Sequence, residues 1–363
     1  MGQITNPSAP GFQVRPVDRQ SGPAAGAGAS GNKSIFIGAG AGLNSTASNL
    51  IVIGNGALQG PMVDATESGT IAIGVSALAA NTGSDIAARP NTAIGNLAGQ
   101  AMTVGGGNVL LGASALVGGS GGGGGGAGIL NNVVIGDLAS SGTTAAGLGF
   151  SQNVVIGASA GICNGGTFTQ SVFIGQGAGN GMSNVGGAST TQSTVIGFNS
   201  GIGLRQSQQC VIVGANSVNT FCHGTQNTYL GNSIVHNCPT QSVGNTIVGA
   251  TGQLPDNVQH CLALGFGAGF SIGSGSIGNL VIEVWDGVTN VNVLYGDFTR
   301  GNLYFGNNGG NNAQRELTGL NNFKLFNGTK VTAAPLGGGY FYCLAGALHW
   351  VGTAGTDTTI APA

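Results

Sequence analysis

Eleven carboxylates and four histidines are all that a catalytic reading of this chain has to work with. Glycoside cleavage needs two carboxyl groups about 5 to 9.5 Å apart, and Asp64 and Glu67 are the nearest acidic pair in the central region. They share that region with Asp85, Asp137 and Asp256, in segments that read as solvated loops. Cysteine and histidine meet at Cys222-His223, at His236-Asn237-Cys238 and at His260-Cys261, but none of these spacings matches a zinc pattern. The run "GAGAGLN" and the polyglycine stretch Gly118 to Gly128 lack the Lys-Ser/Thr ending of a phosphate-binding loop. The sequence therefore predicts no catalytic residues, no cofactor and no metal. Recognition chemistry is concentrated near the C-terminus, where Phe323, Phe326, Tyr340, Phe341, Tyr342 and Trp350 gather with Lys324, Lys330 and His349. Aromatics with a polar handle suit glycan and protein surfaces, and Tyr340, Tyr342, His349 and Trp350 are the expected contact residues.

Composition narrows what could position such residues. Glycine supplies 73 of 363 residues and charged residues only 6%, against roughly 7% glycine and about 25% charged in ordinary proteins. Glycine follows no three-residue period, which excludes collagen, and a 41% hydrophobic content argues for a buried core. A formal charge of −2 with scattered Lys and Arg offers no stripe for nucleic acid and no polybasic membrane patch. No apolar leader and no membrane-length apolar run is evident, so assembly in a cytoplasm without membrane insertion is expected. The six cysteines read as reduced packing residues.

The elements come from an internal repeat. An "IG"-type glycine recurs at 38, 54, 74, 95, 112, 136, 157, 175, 197, 214, 231, 249 and 265, with gaps of 16 to 24 residues. The residue before it is always Ile, Leu or Val, and the residue three before is Ile, Val or Thr in twelve of the thirteen copies. Three after it, nine copies have Ala and two have Ser. Four before it stand Asn91, Asn108, Asn132, Asn153, Asn227 and Asn245, with Ser or Thr in four more copies. Period-two β-formers flanked by small residues predict one short strand per repeat. Stacking of like positions predicts an all-β, parallel β-solenoid or β-roll of about thirteen coils, with the Asn column satisfying turn backbone.

On this reading, the positions one and three before the glycine form the core. The position two before then points the other way, yet it reads Phe36, Val52, Ala72, Ala93, Leu110, Val134, Val155, Phe173, Val195, Ile212, Tyr229, Ile247 and Ala263. An apolar row of that length exceeds what a soluble monomer exposes. It is therefore expected to line a homotrimer axis, with Phe36, Val52, Leu110, Val134, Val155, Phe173, Val195, Ile212, Tyr229 and Ile247 as its main members; a second internal layer within one chain is the alternative.

The repeats "NTAIGNLAG", "NVVIGASAG" and "SVFIGQGAG" resemble the head β-rolls of trimeric autotransporter adhesins. The segments "LYGDFTRGNLYFGN" and "GGYFYCLAGALHWVGTAGTDTTIAPA" resemble the ends of bacteriophage fibre proteins. With neither signal peptide nor membrane anchor in evidence, the combined resemblance implies a homotrimeric phage tail or head fibre carried on the virion. Three regions are expected: residues 1–33 as a virion-attachment segment with Arg15, Asp18 and Arg19, 34–270 as the shaft, and 271–363 as a small C-terminal β cap. The implied partners are further copies of the chain, other virion proteins, and a host surface glycan or protein met by the cap. The implied function is non-enzymatic host attachment. The alternatives are a purely architectural capsid-decorating head fibre or connector, and a polysaccharide-cleaving tailspike.

Overall fold

The repeated three-residue strands stack in parallel, and always in the same register. In the computed structural model Val133–Ile135 pairs with Val109–Leu111 on one side and Val154–Ile156 on the other, and Val134 lies between Leu110 and Val155. The same pairing runs from Ile35–Ile37 to Leu262–Gly265 within one eighteen-stranded sheet. The result is a β-solenoid of about ten turns, with no helix among the described residues. The described residues are 12–14, 19–21, 24–26, 29, 33–60, 69–81, 90–117, 129–142, 150–162, 168–181, 190–218, 222–236, 238–255, 257–269, 272–285, 290–297, 299, 302–305, 339–344, 347–352 and 356–361. The acids Asp64, Glu67, Asp85 and Asp256, Cys163 and the polyglycine loop lie outside them, as do Phe323, Lys324, Phe326 and Lys330.

Each glycine of the motif marks the corner where a strand ends. Gly136 has φ +137°, and a Cβ built on it would fall 2.5 Å from the carbonyl oxygen of Gly157 in the next coil. Its own N–H donates to Leu111 O at 2.8 Å, so the hydrogen-bond ladder continues through the corner. Only a residue without Cβ allows the backbone of one coil to pass so close to the next. Three residues on, Ala139 is fully buried, as are Ala41, Ala57, Ala77, Ala98, Ala115, Ala160, Ala178 and Ala268 at the same position.

The core runs along the inside of the coil, and here the structure corrects the sequence reading. Residues two before the glycine, from Phe36 through Val134, Phe173 and Tyr229 to Ala263, are at most 1% exposed within the single chain. The expected trimer-axis row of Phe36, Val52, Leu110, Val134, Val155, Phe173, Val195, Ile212, Tyr229 and Ile247 is therefore the interior of one solenoid. Each strand of the repeat is three residues long, except the four-residue Leu262–Gly265, and a narrow coil takes only the side chain two before the glycine inward; the two flanking it face outward.

Interior volume is divided differently from coil to coil. A Cβ at Gly42 would overlap the Phe36 ring, whereas the coil with Ala72 fills the equivalent place with fully buried Leu78. In these two coils a large and a small residue exchange places between positions six apart, while Gly99, beside Ala93, leaves its space to Leu78 and Leu110 of the neighbouring coils.

A second, eight-stranded parallel sheet begins at Gly105–Gly106 and climbs the same coils to Cys238–Val243. Both ends of the main sheet turn antiparallel. Arg19–Ser21 stacks in parallel on Ile35–Ile37 and pairs antiparallel with Phe12–Val14. Asn279–Trp285 adds in parallel to Leu262–Gly265, then Asn290–Asp297 and Asn302–Phe305 follow antiparallel. The ladder thus extends beyond the expected shaft limits of 34 and 270. The outermost strands are thus short antiparallel ones, and very short edge strands are one way sheets limit pairing with another chain. The chain divides into two units, Met1–Arg315 and Glu316–Ala363.

Two substitutions test this packing by denaturant midpoint. Gly136→Ala is expected to cost about 3 kcal/mol or more, from overlap with the next coil and an unfavourable φ. Phe36→Ala alone is expected to cost about 3–5 kcal/mol, and adding Gly42→Leu, which copies the Ala72/Leu78 coil, should recover part of that loss.

Candidate functional site

The described residues contain no group of three or more His, Cys, Asp and Glu side chains placed to hold a metal ion. What the fold builds instead is a set of ladders, one buried and two on the surface, together with a small aromatic sheet.

The buried ladder is the column four before the glycine. Asn132 donates from Nδ2 to Asn108 Oδ1 at 2.9 Å and to Phe150 O at 2.8 Å. Its Oδ1 accepts from the backbone N–H of Asn153 at 2.9 Å and from Asn153 Nδ2 at 3.0 Å. Both amide protons and both lone pairs are used, with the residue wholly buried. Asn91 and Asn108 repeat the pattern below, and Asn227 and Asn245 above. Between these blocks, Ser171, Ser193 and Cys210 carry the column, each donating its backbone N–H to the side chain that precedes it in the stack. Cys261 continues it, accepting from the N–H of Asn279 at 3.3 Å. Burial pushes the thiols of Cys210 and Cys261 above the ordinary cysteine range. Cys222 and Cys238 are register partners in the second sheet.

The first surface ladder is aliphatic. Residues one and three before each glycine face outward: Ile35 and Ile37, Val133 and Ile135, Val172 and Ile174, Thr246 and Val248. Most are half-buried by their stacked neighbours, while Ile37, Ile94, Val211, Val248 and Leu262 are 36–41% exposed. No member carries a charge between Ile35 and Leu264. Sequence reasoning placed these rows in the core and so missed them as a surface. The available signal was residue size: the row two before the glycine ranges from Ala to Tyr, as a compensated interior does, whereas the outward rows vary little.

The second surface ladder is made of amides. Gln170, Gln192, Gln209 and Gln226 adopt φ of 55–60° at the start of successive coils. Gln192 Nε2 donates to Gln170 Oε1 at 3.2 Å, Gln209 to Gln192 at 3.2 Å and Gln226 to Gln209 at 3.3 Å.

The C-terminal unit holds a three-stranded antiparallel sheet of Gly339–Leu344, Ala347–Gly352 and Asp357–Ala361. Its register places Tyr340 opposite Val351, Phe341 opposite Trp350 and Tyr342 opposite His349. The Phe341 and Trp350 rings are 4.5 Å apart between centroids and tilted by 52°, with Phe341 58% exposed. His349 Nδ1 lies 3.0 Å from Asp357 Oδ1. His349 and Trp350, adjacent in one strand, occupy opposite faces, so the four expected contact residues do not form one patch. Phe341 shares the face of Trp350, and Asp357 partners His349; strand alternation was the signal for both. At the other end, Arg19 falls in the strand stacked on Ile35–Ile37, while Arg15 and Asp18 lie outside the described residues.

No protein-family model, curated protein or solved structure matches this chain. The surfaces must be interpreted from their own chemistry.

Asn132→Ala removes a side chain whose four hydrogen bonds are all buried, and is expected to cost about 3 kcal/mol or more in denaturant unfolding. Asn132→Ser, which copies Ser171 and Ser193, should cost less. In the native protein at pH 8, Cys210 and Cys261 should resist iodoacetamide because a raised thiol titration keeps them protonated. Peptide mass mapping should show both alkylated only after unfolding.

Proposed function

We propose that this chain is a non-enzymatic structural fibre of a bacteriophage virion, a homotrimer whose thirteen-coil shaft holds the C-terminal residues away from the particle for contact with the host surface. The observation that supports it best is the uncharged, largely aliphatic outer face that runs along the stack of coils. Such a stack suits spacing and self-association, and among the described residues its interior is filled with side chains. The virion setting in this reading rests on the resemblance of the end sequence "TTIAPA" to fibre proteins, and the trimer on the adhesin-like repeats. Weak contacts multiplied over three tips give useful adhesion through avidity. In this role residues 1–33 attach to other virion proteins, and the exposed Phe341 with Trp350 offers an apolar platform for a glycan or protein.

A second reading is favoured by the split of His349 and Trp350 over two faces of the C-terminal sheet. Without a single recognition patch, the protein would decorate or connect parts of the capsid and contact no receptor.

Cell adsorption separates the two. Under the attachment reading, the full chain binds host cells, and a variant lacking residues 316–363 or carrying Phe341→Ala and Trp350→Ala loses at least about ten-fold in binding. Equal adsorption by all three proteins would exclude attachment through this sheet. Gold labelling of intact particles under the electron microscope should find the protein on the virion; particles without label would refute the virion assignment itself.

A further inference from the structure

The outward aliphatic rows form a surface that is incomplete in one chain. We infer that this face, and not the row two residues before the glycine, is where copies of the chain meet, with three copies turning it toward a common axis. The inference deepens the fibre reading and rests on its claim of self-association.

Extent comes first. Parallel strands spaced about 4.8 Å apart make the strip from Ile35 to Leu264 roughly 60 Å long and, at three residues, about 10 Å wide. That is about 600 Å² of largely apolar sheet, at the upper end of the largest patch an ordinary monomer exposes. Pairing two such strips covers about 1,200 Å² in total, at the threshold of stable interfaces.

Repetition then selects the occupant. Because register is constant from coil to coil, the same side-chain relief recurs at every rung, with no charge or bulge to interrupt it. A complementary surface must be equally long, equally flat and built on the same rise, and a second copy of this ladder meets all three requirements. Uneven gaps of 16 to 24 residues between glycines do not disturb the match, since the strands themselves remain stacked.

The two rows differ in a way that orients the face. The row one before the glycine is Ile, Leu or Val throughout, whereas the row three before includes Thr92, Thr194, Thr228 and Thr246. Around a threefold axis the wholly aliphatic row belongs nearest the centre, and the row containing threonine toward the rim, where hydroxyls reach water. Closed rotation of this kind uses every chain's strip and leaves none exposed.

The test uses the full chain in sedimentation and light scattering, with circular dichroism as the check on folding. Wild type is expected at the mass of three chains. Ile156→Lys should give a folded monomer, and Thr194→Lys, on the rim, should raise the trimer's dissociation constant less. Since a lysine could disturb folding, Ile156→Thr provides a milder probe, expected to raise that constant about ten-fold while leaving the dichroism unchanged. A wild-type mass other than three chains would overturn the assembly reading and this inference together. A trimeric wild type whose Ile156→Thr variant associates equally well would leave the trimer standing and reject this face.

Discussion

The constraint on which the molecule depends is that each coil must lie directly on the last, at the spacing of hydrogen-bonded strands, all the way round its circumference. In the strands this happens by default, since parallel pairing fixes the spacing. At the corners the ladder carries on, as from Gly136 N–H to Leu111 O, but only where no Cβ intrudes on the neighbouring coil. Two residue types resolve the difficulty. Glycine at the end of each strand removes the intruding atom, as at Gly136 against Gly157, and asparagine before the strand ties corner to corner, as Asn132 does between Asn108 and Asn153.

Once corners are tied, the interior can vary. Phe36 with Gly42 and Ala72 with Leu78 fill the same section of coil by different division of volume. Serine and cysteine replace asparagine at Ser171, Ser193 and Cys210, where a single acceptor for the next N–H suffices. A solenoid tolerates such substitutions because each coil contacts only its neighbours, so local compensation is enough. Its outer surface has no such freedom. The row of Ile135 remains aliphatic and that of Val133 uncharged from one end to the other, which is a cost in solubility unless something covers them.

The C-terminal sheet follows different rules. Its antiparallel strands place Phe341 beside Trp350 and His349 beside Asp357, so aromatic and polar contacts are separated by strand alternation rather than gathered. A composition rich in aromatics draws attention to this segment, but composition has no direction, and only the register assigns each residue to a face.

By itself the sequence determined the strand of each repeat, the parallel stack, the glycine corners, the small buried alanines and the asparagine column, because each of these is a local requirement repeated at a fixed offset. It did not determine which side of the strand is the inside. Alternation is no guide when Val133, Val134 and Ile135 are all apolar, for a period of two distinguishes the faces without labelling them. The tertiary structure decided the matter through the closure of the coil, which leaves room inside for one side chain per strand. Closure also carried the sheet past both expected ends of the shaft, since pairing of Arg19–Ser21 with Ile35–Ile37 depends on proximity in space that no repeat in the chain announces.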